Sequence, residues 1–279
     1  MMPRMMNLRP AALLRRYFLS LGCCLLPLGF CLPTGSARAQ TPAQMEMQFD
    51  PHAAEQRHTH AAVSVMTLGD GAQRVYVFMP AQPALHGKVP MVFFHHGWRG
   101  MNPMNFGALI DHLARSGQVV IYPVYQDSDS TSPQVVTRNA AAADRRALAA
   151  LNERYRLTPD PQRILYYGFS MGAAISLNFA LEPKRYGLPA PRALVLAAPG
   201  DAMHVARGDD ARSIIGPVEM LPSDLPIVML AGSADTAIGL PTARLLAGRL
   251  CGIRSDRRAL FVLPSDEHDG KKVNAGHGA

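Results

Sequence analysis

The stretch ILYYGFSMGAA, residues 164–174, runs from an apolar and aromatic segment straight into a serine held between two glycines. Good helix formers resume immediately after Ser170. A strand that ends in Gly-x-Ser-x-Gly and turns at once into a helix is typical of a nucleophile elbow, a strained turn that exposes the serine hydroxyl. Gly168 and Gly172 would let neighbouring backbone approach without a side-chain collision. An ordinary turn that contains a serine is the alternative, because the five-residue pattern alone is common.

The rest of the chain alternates short apolar runs with longer amphipathic ones, which predicts an α/β fold with a mostly parallel central sheet flanked by helices. Most of the short runs are apolar throughout, as expected for strands that are buried on both faces. The predicted strands are 74–80, 89–97, 118–125, 163–169, 192–200, 226–235 and 258–265, and the predicted helices are 105–116, 137–155, 171–183 and 240–250.

A candidate acid follows the serine along the chain. Asp235 ends the predicted strand 226–235, and a site built on such a serine places its acid after the nucleophile and before the histidine. The carboxylate would fix the tautomer of the histidine and stabilise its imidazolium form. Asp266 and Asp269 are weaker candidates for the same role.

Two histidines near the end of the chain compete for the role of base. His268 lies just beyond the predicted strand 258–265, in a loop from which it would reach back to Ser170. We therefore predict that His268 acts as general base toward the serine and then as general acid toward the leaving group. His277 is the main alternative, and His268 is preferred because it directly follows a strand.

The segment VFFHHGWRG, residues 92–100, is predicted to supply a hydrogen-bond donor beside the serine. A buried strand ends at His96-Gly97, so the amide of Trp98 would face the site. Together with the amide of Met171 it would form an oxyanion hole. A histidine in such a loop usually orients the loop and transfers no proton. No cluster at ligand spacing accompanies His95 and His96, so they do not predict a metal site.

Apolar side chains follow this loop. Met101, Met104 and Phe106 are predicted, together with Trp98, to line a pocket for an apolar acyl group. The alternative is that Met104 and Phe106 begin a helix and pack inward. Further along, the segment 201–224 is too short for a large lid, which favours an open cleft.

Taken in order, these features resemble the α/β-hydrolase superfamily over residues 74–270. The stretches PMVFFHHGWRGMNP, VVIYPVYQ, GFSMGAA and PSDEHDG are similar to a bacterial exported branch related to dienelactone hydrolase, chlorophyllase and cutinase-like esterases. The resemblance implies a serine ester hydrolase without a metal or organic cofactor. It implies Ser170 as nucleophile, Asp235 as acid and His268 as base. The amides of Trp98 and Met171 would be the oxyanion hole.

Two features depart from the pattern of that superfamily. Phe169 replaces the histidine that often precedes the serine, at a position that tolerates change. Only eleven residues follow His268, too few for the helix that normally covers the last strand, so the sheet would keep an exposed apolar face. We expect a truncated chain; a second subunit that covers the face is the alternative.

The first 39 residues are typical of an export signal. Arginines precede an apolar core, and the sequence ARA stands before Gln40. The pair Arg15-Arg16, followed by Tyr-Phe-Leu, resembles a twin-arginine signal, with the general secretion route as the alternative. Prolines interrupt the apolar run, which is too short for a stable membrane span. We predict a periplasmic or secreted protein with a signal peptide at 1–39, a leader at 40–60 and one catalytic domain at 61–279.

Composition excludes some classes of partner. All 21 acidic residues and 23 of the 28 basic ones lie beyond residue 39, so the net charge of that part is 23 − 21 = +2 rather than +7. A charge this small gives no support for a nucleic-acid partner. The predicted function is hydrolysis of small-molecule or lipid-like carboxylic esters through an acyl-serine intermediate. A serine peptidase or acyltransferase on the same residues is one alternative, and a catalytically silent binding module is another.

Overall fold

The computed structural model describes residues 58–128, 131, 133–200, 214–268 and 270–278. The predicted signal peptide and all but the last three residues of the predicted leader lie outside the described residues. Residues 201–213 of the segment judged too short for a large lid lie outside them as well. None of the helices in the described part has the length and apolar character needed to cross a membrane.

Within the described residues, eight strands form one sheet: β1 (Ala62–Leu68), β2 (Val75–Ala81), β3 (Lys88–His95), β4 (Val119–Pro123), β5 (Thr158–Phe169), β6 (Ala193–Ala197), β7 (Ile227–Gly232) and β8 (Arg258–Leu263). Their order across the sheet is β1-β2-β4-β3-β5-β6-β7-β8. The β1/β2 and β2/β4 pairs are antiparallel, and all pairs from β4 to β8 are parallel. After β8 comes a small antiparallel hairpin of β9 (Asp266–His268) and β10 (Lys271–Val273).

Helices cover both faces of this sheet. They are α1 (Gly107–Arg115), α2 (Pro133–Tyr155), α3 (Met171–Leu181), α4 (Pro183–Tyr186) and α5 (Leu240–Arg249), with short 3-10 turns at Gly71–Gln73, Pro103–Phe106, Val218–Met220, Leu250–Gly252 and Ser255–Arg257. Side chains alternate across each strand, so Met91 and Phe93 of β3 join the core under α2, α3 and α5. Val92 and Phe94 join the core under α1 on the opposite face.

The mostly parallel α/β sheet predicted from the sequence is confirmed, with the seven predicted strands present as β2 to β8. The sequence pattern missed β1, whose residues are not continuously apolar; Val65 at its centre is 56% exposed. The residues of β8 at the opposite edge are all half-buried. The expectation of a truncated chain stays a prediction.

β5 is a central strand of the sheet, so its carboxyl end lies in the middle of the row of strand ends. β5 lies between β3 and β6 and runs parallel to both, so the carboxyl ends of the three strands meet there. The helix that follows β5, α3, is buried on nearly every side, which explains why its sequence MGAAISLNFAL has no polar face. In sheets of this kind, ligands bind at the carboxyl ends of the strands.

Candidate active site

Ser170 occupies a strained turn between β5 and α3. Its φ of 52° and ψ of −120° lie outside the regions that L-residues favour. A conformation of this kind costs about 1–3 kcal/mol and persists only where the surroundings impose it. The serine amide donates to the Ala197 carbonyl at 2.9 Å, and the serine carbonyl accepts from the amides of Ala173 at 3.0 Å and Gly200 at 3.2 Å. The strained turn that the sequence predicts is therefore present, fixed by β6 and by the first turn of α3.

The two glycines of the turn stand where backbone meets backbone. A Cβ atom on Gly168 would lie 2.5 Å from the Cα of Ala173, and one on Gly172 would lie 2.0 Å from the carbonyl oxygen of His95. Neither distance leaves room for a side chain. Gly168 thus lets β5 approach the start of α3, and Gly172 lets α3 approach the end of β3.

A row of hydrogen bonds joins Ser170 to a histidine and an acid. The Nε2 atom of His277 lies 3.0 Å from the serine Oγ, and its Nδ1 atom lies 2.9 Å from Oδ2 of Asp235. Because a carboxylate can only accept hydrogen bonds, the proton of the neutral imidazole resides on Nδ1. Nε2 is then free of a proton and accepts from the serine hydroxyl, which is the tautomer that a general base requires.

Asp235 is kept ionised by its neighbours. It follows β7, and its Oδ1 atom accepts from the amides of Ala237 at 2.9 Å and Ile238 at 3.0 Å. Burial raises the pKa of this carboxyl, but the hydrogen bonds from His277 and from the two amides outweigh burial and hold the pKa below its ordinary value. Asp266, a weaker candidate, lies in β9 and accepts from the next amide at 2.7 Å.

The histidine beside the serine is His277, which corrects the choice of His268. After β8 the chain turns into the β9–β10 hairpin, and His268 lies at its closed end. The chain then returns to the sheet, where the amide of Ala234 donates to the Ala275 carbonyl at 3.0 Å. This return carries His277 to Ser170. The close approach on this return is at Gly232, where a Cβ atom would lie 2.1 Å from the Ala275 carbonyl oxygen.

The loop after β3 passes directly beside the serine. A Cβ atom on Gly97 would lie 3.0 Å from the Cβ of Ser170 and 2.9 Å from the ring of Phe169, so the loop needs glycine there. Trp98 follows Gly97 directly, so its amide is bonded to the residue that approaches the serine. Met171 opens α3, where the first amides have no acceptor inside the helix and the helix dipole is positive. Both residues predicted to supply oxyanion donors are therefore placed next to the turn, and their role as donors stays a prediction.

His96 is a buried, neutral ring that holds backbone. Burial lowers the pKa of His96 to about 4, although hydrogen bonds to the carbonyls of Gly97 and Val124 act in the opposite direction. Its Nδ1 lies 2.6 Å from the Gly97 carbonyl and its Nε2 lies 2.8 Å from the Val124 carbonyl. A neutral imidazole has one N–H and donates to one of the two. The ring ties the loop after β3 to the segment after β4.

His95 belongs to a different buried group. Its Nδ1 lies 2.7 Å from the Ser176 hydroxyl in α3, and its Nε2 lies 3.2 Å from Oδ2 of Asp144 in α2. All three residues are fully buried. Burial raises the pKa of Asp144, while the hydrogen bond with His95 acts the other way. In the part of the chain that the structure describes, no three His, Cys, Asp or Glu side chains are grouped to hold a metal ion.

The residues predicted to line a pocket lie in different environments. Met104 is 71% exposed, whereas Phe106 packs inward with its ring centroid 5.3 Å from that of Phe169. Met101 is half-buried. The inward alternative is therefore correct for Phe106 and wrong for Met104. The ring of Phe169 also lies 5.1 Å from the ring of His277, an aromatic contact that sequence reasoning missed.

Solved structures share this architecture at low sequence identity. A dienelactone hydrolase candidate from Klebsiella pneumoniae subsp. pneumoniae is 18% identical with a TM-score of 0.51, over 75% of this chain and 88% of its own. The thermophilic esterase Est2 of Thermogutta terrifontis is 16% identical with a TM-score of 0.54, over 76% and 85%. The α/β hydrolase MGS-M1, from a Medee basin deep-sea metagenome library, is 15% identical with a TM-score of 0.51, over 74% and 83%.

No protein-family model and no curated protein matches the chain. The strand order and the solved structures nevertheless agree on one architecture. The chain has the α/β-hydrolase fold, as its sequence predicts.

Proposed function

We propose that this chain is a serine hydrolase that cleaves carboxylic esters through an acyl-serine intermediate. The observation that carries the proposal is the continuous row of hydrogen bonds from Ser170 through His277 to Asp235, which starts at a strained turn. A strained serine whose hydroxyl contacts an unprotonated imidazole nitrogen is the arrangement of an activated nucleophile. Structural neighbours named as esterases support the ester class of substrate.

The acylation step follows from the positions of these atoms. The Oγ atom of Ser170 attacks the ester carbonyl carbon as its proton passes to Nε2 of His277. Asp235 stabilises the imidazolium that forms. The negative charge on the carbonyl oxygen would be met by the amides of Trp98 and Met171. The tetrahedral intermediate then expels the alcohol, which takes the proton from His277 and leaves the acyl group on the serine.

Deacylation repeats the same transfers with water. His277, neutral again, removes a proton from a water molecule as its oxygen attacks the acyl carbon. The second tetrahedral intermediate collapses, the carboxylic acid leaves, and the proton returns to the Oγ of Ser170. No group outside the row of three is needed to move a proton in either half of the cycle.

The aromatic surroundings of the site favour an apolar ester. Phe169 contacts both the His277 ring and Phe106, and Met101 follows the loop beside the serine. We propose that these side chains contact the substrate or border its path, and that small-molecule or lipid-like esters are the substrates. A serine peptidase or an acyltransferase would use the same three residues.

A fluorophosphonate probe, which reacts with activated serines, tests the proposal directly. The Thermogutta terrifontis esterase 2 has been solved phosphorylated by paraoxon, so organophosphorus reagents suit this fold. The unaltered protein should be labelled, Ser170→Ala should not, and Ser64→Ala, which changes an exposed serine on the edge strand β1, should be labelled normally. A folded but unlabelled protein would support the silent binding module.

Substrate assays then separate the enzyme classes. p-Nitrophenyl butyrate releases p-nitrophenolate on ester cleavage and a peptide p-nitroanilide releases p-nitroaniline on amide cleavage, so absorbance follows both reactions and gives a kcat/KM for each. We expect clear preference for the ester. A preference for the anilide would identify a peptidase. Accumulation of a new ester when an alcohol is added, with little free acid, would identify an acyltransferase.

We also propose that the chain is exported after cleavage following Ala39. The proposal rests on the arginines, the apolar run and the ARA sequence of residues 1–39. N-terminal sequencing of the protein recovered outside the cytoplasm should find Gln40 first. Recovery of the uncleaved chain in the cytoplasm alone would contradict export.

A further inference from the structure

Three side chains at the end of β4 and just after it hold the loop beside Ser170. The hydroxyl of Tyr125 donates to the carbonyl of His96, and the hydroxyl of Tyr122 donates to the carbonyl of Gly100. The Oε1 atom of Gln126 accepts from the amide of Arg99 at 3.1 Å. All three side chains, those of Tyr122, Tyr125 and Gln126, are fully buried. We call this set the β4 clamp.

The clamp holds the loop on both sides of Trp98. The His96 carbonyl precedes Trp98 by two residues, and the groups held at Arg99 and Gly100 follow it. Inside the loop, the amide of Gly100 donates to the Gly97 carbonyl at 3.0 Å, which closes a tight turn around Trp98. The bonds to the His96 carbonyl and the Arg99 amide fix the peptide planes on either side of the plane that carries the Trp98 amide, and the bond to the Gly97 carbonyl fixes that plane itself. The bond from Tyr122 holds the far end of the turn at the Gly100 carbonyl.

Ring stacking adds a second constraint. The imidazole of His96 lies nearly parallel to the ring of Tyr125, with centroids 4.0 Å apart and an angle of 11°. The ring of Tyr122 lies 5.3 Å from the same imidazole at 24°. Burial raises the pKa of both tyrosine hydroxyls far above the ordinary value. Both hydroxyls therefore remain donors at every pH at which the protein would be assayed.

A loop that supplies an oxyanion donor gains from such rigidity. A donor stabilises the transition state to the extent that it already points to the place where charge develops, because no reorganisation is then needed during the reaction. If a clamp hydroxyl were removed, a buried carbonyl would lose its partner, and unpaired buried carbonyls turn toward other donors or water. The neighbouring peptide planes would turn with it, including the plane that contains the Trp98 amide.

We propose that Tyr122, Tyr125 and Gln126 are positioning residues that aim the Trp98 amide into the oxyanion hole. The proposal rests on the function proposed above, since it concerns the same site. It predicts that the clamp affects the transition state and leaves ground-state binding of the ester nearly unchanged.

The test uses Tyr125→Phe and Tyr122→Phe, each of which removes one oxygen atom. The matched control is Tyr166→Phe, because the Tyr166 hydroxyl also donates from a buried ring to a backbone carbonyl, that of Pro189 at 2.6 Å, in another part of the sheet. With p-nitrophenyl butyrate, each clamp variant should lose about 10- to 100-fold in kcat. The value of KM should stay within about twofold, as for loss of an interaction made only in the transition state. The control should keep both constants.

Binding of a boronic acid separates positioning from general loosening. The serine oxygen adds to boron and forms a tetrahedral boronate, one oxygen of which would lie in the oxyanion hole, so phenylboronic acid mimics the transition state. We expect its Kd to rise about 10-fold in the clamp variants, parallel to the loss of kcat, and not in Tyr166→Phe. Melting temperatures that fall equally in clamp and control variants, with kcat unchanged in both, would overturn the proposal.

A further variant covers the case in which a tyrosine variant fails to fold. Gln126→Met keeps the length of the side chain and removes the acceptor for the Arg99 amide, so it should show the same loss of kcat at nearly constant KM. Unchanged kcat in that variant would overturn the proposal. Failure of the proposed function looks different, because the unaltered protein would then show neither probe labelling nor ester hydrolysis.

Discussion

Three histidines of this chain show how burial and partners assign different tasks to one side chain. His277 is partly exposed and lies between an ionised acid and a hydroxyl, so it can take up and return a proton. His96 is buried against carbonyls and stays neutral. His95 is enclosed with Asp144 and Ser176. None of these surroundings is visible in the local sequence.

Substitution of the two competing histidines is the decisive test at the residue scale. His277→Gln should lower kcat by about 10³-fold or more, because the serine would lose its base. His268→Gln should leave kcat unchanged, since His277 already occupies the position beside the serine hydroxyl and His268 lies at the closed end of the β9–β10 hairpin. Ester hydrolysis is the measurement, with a melting curve for each variant to show that it is folded. A large loss confined to His268→Gln would restore the choice made from sequence.

At this scale the sequence identified the residues whose position depends on a strand end. Ser170 and Asp235 both follow strands that a continuous apolar run predicts. His277 was ranked below His268 because its position depends on a hairpin that turns the chain back, a route with no local periodicity. Tyr122 and Tyr125 likewise count as ordinary apolar strand residues until the loop that they hold is in place.

At the scale of elements, the site is a junction where β3, β5 and α3 meet without side chains between them. The junction tolerates no added atom at Gly172, because the end of β3 lies against it. Gly248 in α5 offers the opposite situation, since a Cβ atom there would meet nothing within 4 Å. The two glycines therefore form a matched pair for the same substitution.

We expect Gly172→Ala to destabilise the fold by about 1–3 kcal/mol or more, because α3 and β3 must separate to admit the methyl group. Gly248→Ala should stabilise it by about 0.5–1 kcal/mol through the higher helix propensity of alanine. Urea unfolding measures both. Similar shifts of the same sign would mean that the close approach of α3 to β3 is not a feature of the folded protein.

The elements were predicted best where they are buried. Strand β4 is apolar throughout, and β3 is apolar between Lys88 and His95, because helices cover both faces, and their sequences show it. The edge strand β1 and the hairpin β9–β10 have little to bury, so their sequences lack a signal. Their formation depends on pairing with neighbours, which a local pattern does not encode.

At the scale of the whole molecule, burial of His96 connects stability to pH. The ordinary pKa of a histidine is 6.5, and burial lowers that of His96 to about 4. Between these two pH values His96 is protonated in the unfolded chain and neutral in the folded chain, so the folded state loses stability as pH falls. Above pH 6.5 the stability that comes from the neutral His96 is fully present, and below about pH 4 no more of it is lost.

The free energy of unfolding should therefore fall by up to about 1.4 kcal/mol per pH unit from this group as pH decreases from 6.5 toward 4. Urea unfolding at several pH values gives the slope. His96→Gln should have a shallower slope over that interval, although it is less stable overall. His86→Gln, which changes an exposed histidine, serves as control and should keep the original slope. Equal slopes in all three proteins would contradict the buried, neutral state of His96.

The serine and its histidine are 107 residues apart in the sequence, and this separation affects how activity arises during folding. The strained turn at Ser170 is fixed by neighbouring parallel strands, whereas His277 lies in the chain beyond β7, β8 and the hairpin. Contacts of such long sequence separation form at a high entropic cost and tend to come late. Under the proposed function, a chain whose sheet is already assembled would remain inert, and the appearance of hydrolysis would mark completion of the native structure rather than its beginning.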